Sequence, residues 1–94
     1  MTIKIFIKRK VKEQDLPELD FLLKKLRALS LEQPGYISGE TLNRLDVAGE
    51  SMVISTWKSV EDWNNWVNNP KRTEVQAQID RLLGEDTEYA MYTA

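Results

Sequence analysis

Between Thr2 and Lys8 the chain alternates, with Ile3, Ile5 and Ile7 on one side and Lys4, Phe6 and Lys8 on the other, which is the period of a strand with one buried face. From Leu16 the period changes: Leu16, Leu19, Leu22, Leu23, Leu26 and Leu29 recur along one stripe, with Glu18, Lys24, Lys25 and Arg27 turned away from it. That spacing predicts an amphipathic helix over about Leu16 to Leu31, lying on a sheet. Asp15, followed by Pro17 and Glu18, predicts its start by a capping exchange between side chains and backbone N–H groups. Pro34-Gly35 stops the helix and opens a second strand, about Tyr36 to Leu45, in which Gly39 marks a bulge or a close approach. A loop from Asp46 to Glu50 returns the chain as a third strand, Met52 to Trp57, antiparallel to the second.

The period changes again after Trp57. Val60, Trp63, Trp66 and Val67 mark a helix face, and Ser59 with Asp62 is its start signal. Asn68-Asn69-Pro70 interrupts this helix, and Val75, Ile79, Leu82 and Leu83 continue a helical pattern to Gly84, an expected C-terminal cap. Tyr89, Met91 and Thr93 alternate with Glu88, Ala90 and Tyr92 in a last strand. The order is strand, helix, strand, strand, helix, strand: a ferredoxin-like βαββαβ fold of the α+β class, with a four-stranded antiparallel sheet and its helices on one face. The other face carries apolar residues too, so a second copy is expected to cover it, giving a homodimer through sheet faces.

Composition narrows the chemistry. The 94 residues make one domain, 1–94, with a formal net charge of -2, and neither a nucleic acid nor a membrane is implied as partner. The basic run Lys8, Arg9, Lys10 and Lys12 reads as a solvated strand end in preference to an anion contact. RNA-binding domains share the element order, but Ser51 to Trp57 lacks their Lys/Arg-Gly-aromatic pattern. Apolar runs are too short to span a bilayer, and the start of the chain reads as strand instead of signal segment, so a cytoplasmic protein is the expectation. The sequence holds no cysteine and no histidine, which removes thiol and imidazole catalysis and the common zinc and haem ligands; no metal or cofactor is expected.

All three tryptophans lie within ten positions, at 57, 63 and 66. Side chains of that size gathered so closely form either the heaviest part of the core or the wall of a pocket. The candidate substrate pocket comprises Trp57, Trp63 and Trp66 as walls and N–H donors, with Phe6, Asn65, Arg72 and Gln76; Asn64, Asn65 or Arg72 could hold a phenolate or enolate. No catalytic residue is assigned.

Gln-Pro-Gly-Tyr-Ile-Ser-Gly-Glu-Thr at 33 to 41 and Val-Ile-Ser-Thr-Trp-Lys-Ser-Val-Glu-Asp-Trp-Asn-Asn-Trp at 53 to 66 resemble the antibiotic biosynthesis monooxygenase family, and the resemblance extends over essentially the whole chain. It implies dimeric α+β barrels with a pocket in each subunit between sheet and helices. It also implies diverse activities: metal-free oxidation of polyketide aromatics, haem degradation, handling of small signalling molecules, or no known reaction. Trp66 matches a Trp of the haem-degrading members, but their haem-ligating His ten residues on is Gln76 here, and their first-strand Asn falls near Lys8. Trp57 matches a Trp of the quinone-forming members, whose Asn four residues earlier, Tyr six residues later and Arg twenty residues later are replaced by Val53, Trp63 and Ala77. Two readings stay open: a cofactor-independent oxygenase acting on a small aromatic substrate, or a non-catalytic dimeric module binding a small apolar ligand. Haem breakdown is a third, disfavoured by the missing His.

Overall fold

β1, Ile3–Lys10, is the centre of the sheet: it pairs antiparallel with β3, Glu50–Trp57, on one side and with β4, Glu88–Thr93, on the other. The structure is a computed structural model and describes residues 2–94. β2, Tyr36–Asn43, pairs with β3, giving the order β2-β3-β1-β4. Three helices accompany the sheet: α1, Leu16–Ser30; α2, Val60–Val67; and α3, Pro70–Leu83. The ferredoxin-like α+β arrangement expected from the sequence is present, with the last helical region divided at Asn69 and Pro70.

Register decides which side chains share a face. Ile3 opposes Trp57, Ile5 opposes Ser55, Ile7 opposes Val53 and Arg9 opposes Ser51. All of these point to the helix side, where Ile3, Ile5, Ile7 and Trp57 pack with Trp63 and Trp66 of α2. A second cluster joins Val11 to Leu19 and Leu22 of α1 and to Val75 and Ile79 of α3. Alternation sends Phe6, Met52, Ile54 and Tyr92 to the opposite face, where Phe6 and Tyr92 meet edge-on with ring centroids 5.0 Å apart. On that face Lys8 lies 3.8 Å from Glu50 and 3.9 Å from Glu88.

The ends of the elements differ from the pattern in three places. Asp15 precedes α1, but its side chain makes no capping hydrogen bond. Residues Glu13–Asp15 form a 3-10 turn, and Asp15 already has helical backbone angles, not the extended ones from which a capping oxygen reaches the first turn. β2 stops at Asn43, two residues short of Leu45; the Arg44 N–H still donates to the Glu50 carbonyl at 2.9 Å, one step beyond the last paired position, and the loop turns after it. The bulge in β2 lies between Tyr36 and Ser38, while Gly39 marks a close approach: a Cβ there would stand 2.6 Å from the Tyr36 hydroxyl oxygen. Arg44 clasps the same loop, its Nε 2.7 Å from Asp46 Oδ1 and its Nη1 2.8 Å from Glu50 Oε2. These bonds hold both carboxyls below their ordinary range.

The turn into α2 follows its start signal. Ser59 is extended, and its Oγ accepts from the Asp62 N–H at 3.1 Å and donates to Asp62 Oδ2 at 3.0 Å. This junction is latched to the turn after α1, since the Lys58 N–H donates to the Gly35 carbonyl at 2.8 Å. Asn69 Oδ1 caps α3 by accepting from Lys71 N–H at 2.9 Å, and Gly84 ends it in the left-handed region. Among the described residues no helix is long and apolar enough to cross a membrane.

Gly35 and Gly84 both have positive φ, at 84° and 70°, but only Gly35 is crowded: a methyl group there would overlap the Asp62 carboxylate, whereas Gly84 faces open space. Gly84→Ala is expected to cost about 1–2 kcal/mol, the left-handed penalty alone. Gly35→Ala should cost on the order of 3 kcal/mol or more, because overpacking adds to that penalty. Urea unfolding of the two variants checks this, and equal losses would contradict the packing of Asp62 on Gly35.

Candidate functional site

Between α1 and the helix side of the sheet lies a cavity of about 220 Å³. Its floor is sheet: Ile7 and Arg9 from β1, Val53 and Ser55 from β3, and Tyr36, Gly39 and Thr41 from β2. Leu23, Leu26 and Ser30 of α1 form one wall, Trp63 and Trp66 of α2 another, and Arg72 of α3 closes the inner end. The β2 bulge matters here. By adding one residue it brings both Tyr36 and Gly39 to the helix side, and the absent side chain at Gly39 leaves room beside the Tyr36 ring. At the mouth, Arg27 Nη2 donates to the Gly39 carbonyl at 2.8 Å and ties α1 to β2.

The tryptophans form one cluster but occupy different layers. Trp57 is 0% exposed and lies behind the cavity surface. Trp66 stacks on it at 6.2 Å and 25°, Trp63 meets it at 5.8 Å and 66°, and Tyr36 meets it edge-on at 5.3 Å. The buried Trp57 Nε1–H donates to Ser55 Oγ at 2.7 Å, so this side chain offers no free donor to a ligand.

Two guanidinium groups are buried at the inner end: Arg9 is 4% exposed and Arg72 is 7% exposed. Arg72 Nη2 donates to the Tyr89 hydroxyl at 2.6 Å, and its Nη1 donates to the Val67 carbonyl at 3.4 Å, at the end of α2. The Arg72 guanidinium lies 6.0 Å from the Trp63 ring centre and 5.7 Å from that of Tyr89, within range of cation–π attraction. Arg9 Nη2 donates to Gln76 Oε1 at 3.2 Å, while its buried Nε has no partner. Gln76 in turn donates from Nε2 to Asp80 Oδ1 at 2.9 Å and to Thr87 Oγ1 at 3.1 Å. Burial pushes Arg9 below the ordinary arginine range; the Arg72 charge adds to that, and Tyr89 and Asp80 oppose it.

The seven pocket candidates from the sequence are thus separated. Trp63, Trp66 and Arg72 line the cavity. Trp57 backs it, and Gln76 stands behind Arg9. Phe6 lies on the opposite sheet face, because it alternates with Ile5 and Ile7. Asn65, like Asn64, is exposed: with Trp63 and Trp66 turned inward, helix geometry carries the two residues between them outward. The expectation that these asparagines hold a ligand anion is corrected accordingly. Arg9, Tyr36 and Ser55 are cavity residues that the sequence pattern did not single out. The signal for Arg9 was its phase, since it continues the Ile3, Ile5, Ile7 series; the reading of the whole basic run as a solvated strand end is corrected at this position.

A family model described as antibiotic biosynthesis monooxygenase matches residues 2–78. A search of curated proteins found no match. Among solved structures, a conserved protein from Methanosarcina mazei superimposes with a TM-score of 0.90 at 21% identity, covering 98% of this chain and 91% of its own. Rv0793 from Mycobacterium tuberculosis gives a TM-score of 0.88 at 15% identity, covering 100% and 95% respectively. SnoaB from Streptomyces nogalater, a cofactor-independent oxygenase, gives 0.86 at 15% identity, covering 99% and 92%. These structures share the fold of this chain.

Two buried serines on β3 separate a working hydrogen bond from an idle one. Ser55→Ala strands the Trp57 Nε1–H and is expected to cost about 1–3 kcal/mol. Ser51 Oγ is buried without a partner, so Ser51→Ala should be close to neutral. Chemical denaturation of both variants reads the difference, and a neutral Ser55→Ala would show that the Trp57 bond contributes nothing.

Proposed function

Because the chain belongs to the antibiotic biosynthesis monooxygenase family, we propose that it oxidises a small aromatic substrate with molecular oxygen in the cavity beneath Trp63 and Trp66, without a bound cofactor. The observation that carries this reading is an apolar, tryptophan-walled cavity of about 220 Å³ with guanidinium groups at its inner end. A hydroxyarene seated there loses its ring hydroxyl proton to solvent more readily than in water, because Arg72 stabilises the resulting anion in a site of low dielectric. An electron-rich ring carbon of that anion forms a bond to oxygen, giving a peroxide. The peroxide O–O bond then breaks as that carbon loses its hydrogen, leaving a ring carbonyl and one water. The substrate is the reductant, and one oxygen atom ends in the product. Trp63, Trp66, Leu23 and Leu26 orient the ring and exclude water. The same fold in SnoaB, described as a cofactor-independent oxygenase, supports the reading.

A second reading, a non-catalytic binding module, is favoured by one feature: Val53 lines the cavity at the position where the quinone-forming pattern carries an Asn. Oxygen uptake with 1-naphthol and with an anthrone discriminates the two. The wild type is expected to consume oxygen in step with carbonyl formation, with kcat/KM lowered at least about tenfold, or about 1.4 kcal/mol, in Trp66→Ala. Trp66→Phe, which keeps an aromatic wall, should fall less. No uptake, together with unchanged binding of a hydrophobic dye, would leave only the binding module.

The open sheet face completes the proposal. Phe6, Met52 and Ile54 are half-buried there, and Leu42 and Tyr92 are exposed, an apolar surface suited to a second copy. Sedimentation at micromolar concentration is expected to give twice the mass of the chain, and Ile54→Asp should shift it to the monomer. A wild-type monomer would remove the dimer.

A further inference from the structure

We infer that the cavity takes its ligand as an aromatic carboxylate, whose charged group is held by Arg9 and Arg72 while its ring lies against Trp63 and Trp66. The inference deepens the proposed function and rests on the same cavity being the ligand site.

Removing a guanidinium from water is unfavourable unless a partner compensates it, and the usual compensation is a carboxylate. Neither of these two has one: among the described residues, ion pairs are made by Lys8, Lys24 and Arg44 only. Arg9 donates to an uncharged amide, and Arg72 donates to a phenol oxygen and a backbone carbonyl. A guanidinium presents five N–H donors, so both groups keep donors in hand, and the Arg9 Nε–H is buried without any acceptor. Asp80 makes no direct hydrogen bond or ion pair with Arg9: its charge acts on Arg9 from a distance, and the hydrogen-bond link between them runs through the Gln76 amide. The charges near the mouth, Asp20 and Glu40 against Lys24 and Arg27, are equal in number and leave the inner positive charge uncancelled.

Planar donor forks match the two oxygens of a carboxylate, and charge-assisted bonds of that kind are roughly twice as strong as neutral ones. The remainder of the lining favours a ring over a small hydrated anion. Trp63, Trp66, Leu23, Leu26 and Val53 offer apolar surface but no means of replacing the water shell of inorganic phosphate. A ligand with both parts satisfies both parts of the cavity.

The test is binding to the 94-residue chain, monitored by quenching of tryptophan fluorescence under nitrogen, with 2-naphthoate, its neutral analogue 2-naphthalenemethanol, and inorganic phosphate as probes. Naphthoate is expected to bind at least tenfold more tightly than the alcohol and than phosphate. Arg9→Gln and Arg72→Gln should each lose at least tenfold for naphthoate and little for the alcohol, with Arg72→Lys between wild type and Arg72→Gln. Equal affinity of the wild type for naphthoate and the alcohol overturns the inference, and that comparison decides it even if both glutamine variants fail to fold. Phosphate binding as tight as naphthoate overturns it as well. Naphthoate binding without oxygen uptake from any phenol would remove the oxidation and leave the carboxylate site standing. Turnover of neutral naphthols with no preference for the acid would do the reverse.

Discussion

The Trp57 indole stacks on Trp66, takes Trp63 against its rim, receives Tyr36 edge-on and donates its N–H to Ser55. With no exposed surface of its own, it sits where β2, β3 and α2 converge, and its backbone position opposes Ile3 of β1. Aromatic pairs of this kind contribute about 0.5–1.5 kcal/mol each beyond their burial. Their directional preference matters more than their sum, because it fixes the tilt of α2 over the sheet. The cavity is the space left when α2 is held by Trp57 and α1 is tied to β2 by Arg27.

That space has an apolar body and a cationic end, which follows from a small domain using one sheet face for two purposes. Ile3, Ile5 and Ile7 supply core, and the next residue in phase, Arg9, supplies charge. α3 contributes in the same way, with Val75 and Ile79 packed on α1 and Arg72 turned to the cavity. Apolar neighbours make a guanidinium electrostatically stronger toward an anion and costlier to leave alone. The site therefore draws its selectivity from the same burial that holds the domain together.

The sheet, the helices and their order were legible because each rests on a local signal: the two-residue period of Ile3 to Ile7, the leucine stripe of α1, Pro34-Gly35, and the Ser59 to Asp62 cap. The shared inward face of Trp63 and Trp66 was legible as well, through helical spacing. What was not legible depends on contacts between distant residues. The inward turn of Arg9 was masked by Lys8 and Lys10, whose charges made the whole run resemble solvent-facing surface. The bulge between Tyr36 and Ser38, which brings Tyr36 into the cavity, has no composition signal of its own, whereas the nearby Gly39 signals the close approach to the Tyr36 ring. Phe6 and Asn65 are residue types that suit a pocket, but their phase on strand and helix places them elsewhere.

Gln76 presents its carbonyl oxygen to Arg9 and its amide nitrogen to Asp80 and Thr87. The order cannot be reversed without setting an N–H against a guanidinium and an oxygen against a carboxylate. The amide is thus an insulator between opposite charges. A glutamate here would discharge Arg9 and crowd Asp80 with a second negative group, whereas the neutral amide meets both neighbours and transfers no charge between them. The positive end of the cavity is preserved by a residue that carries none.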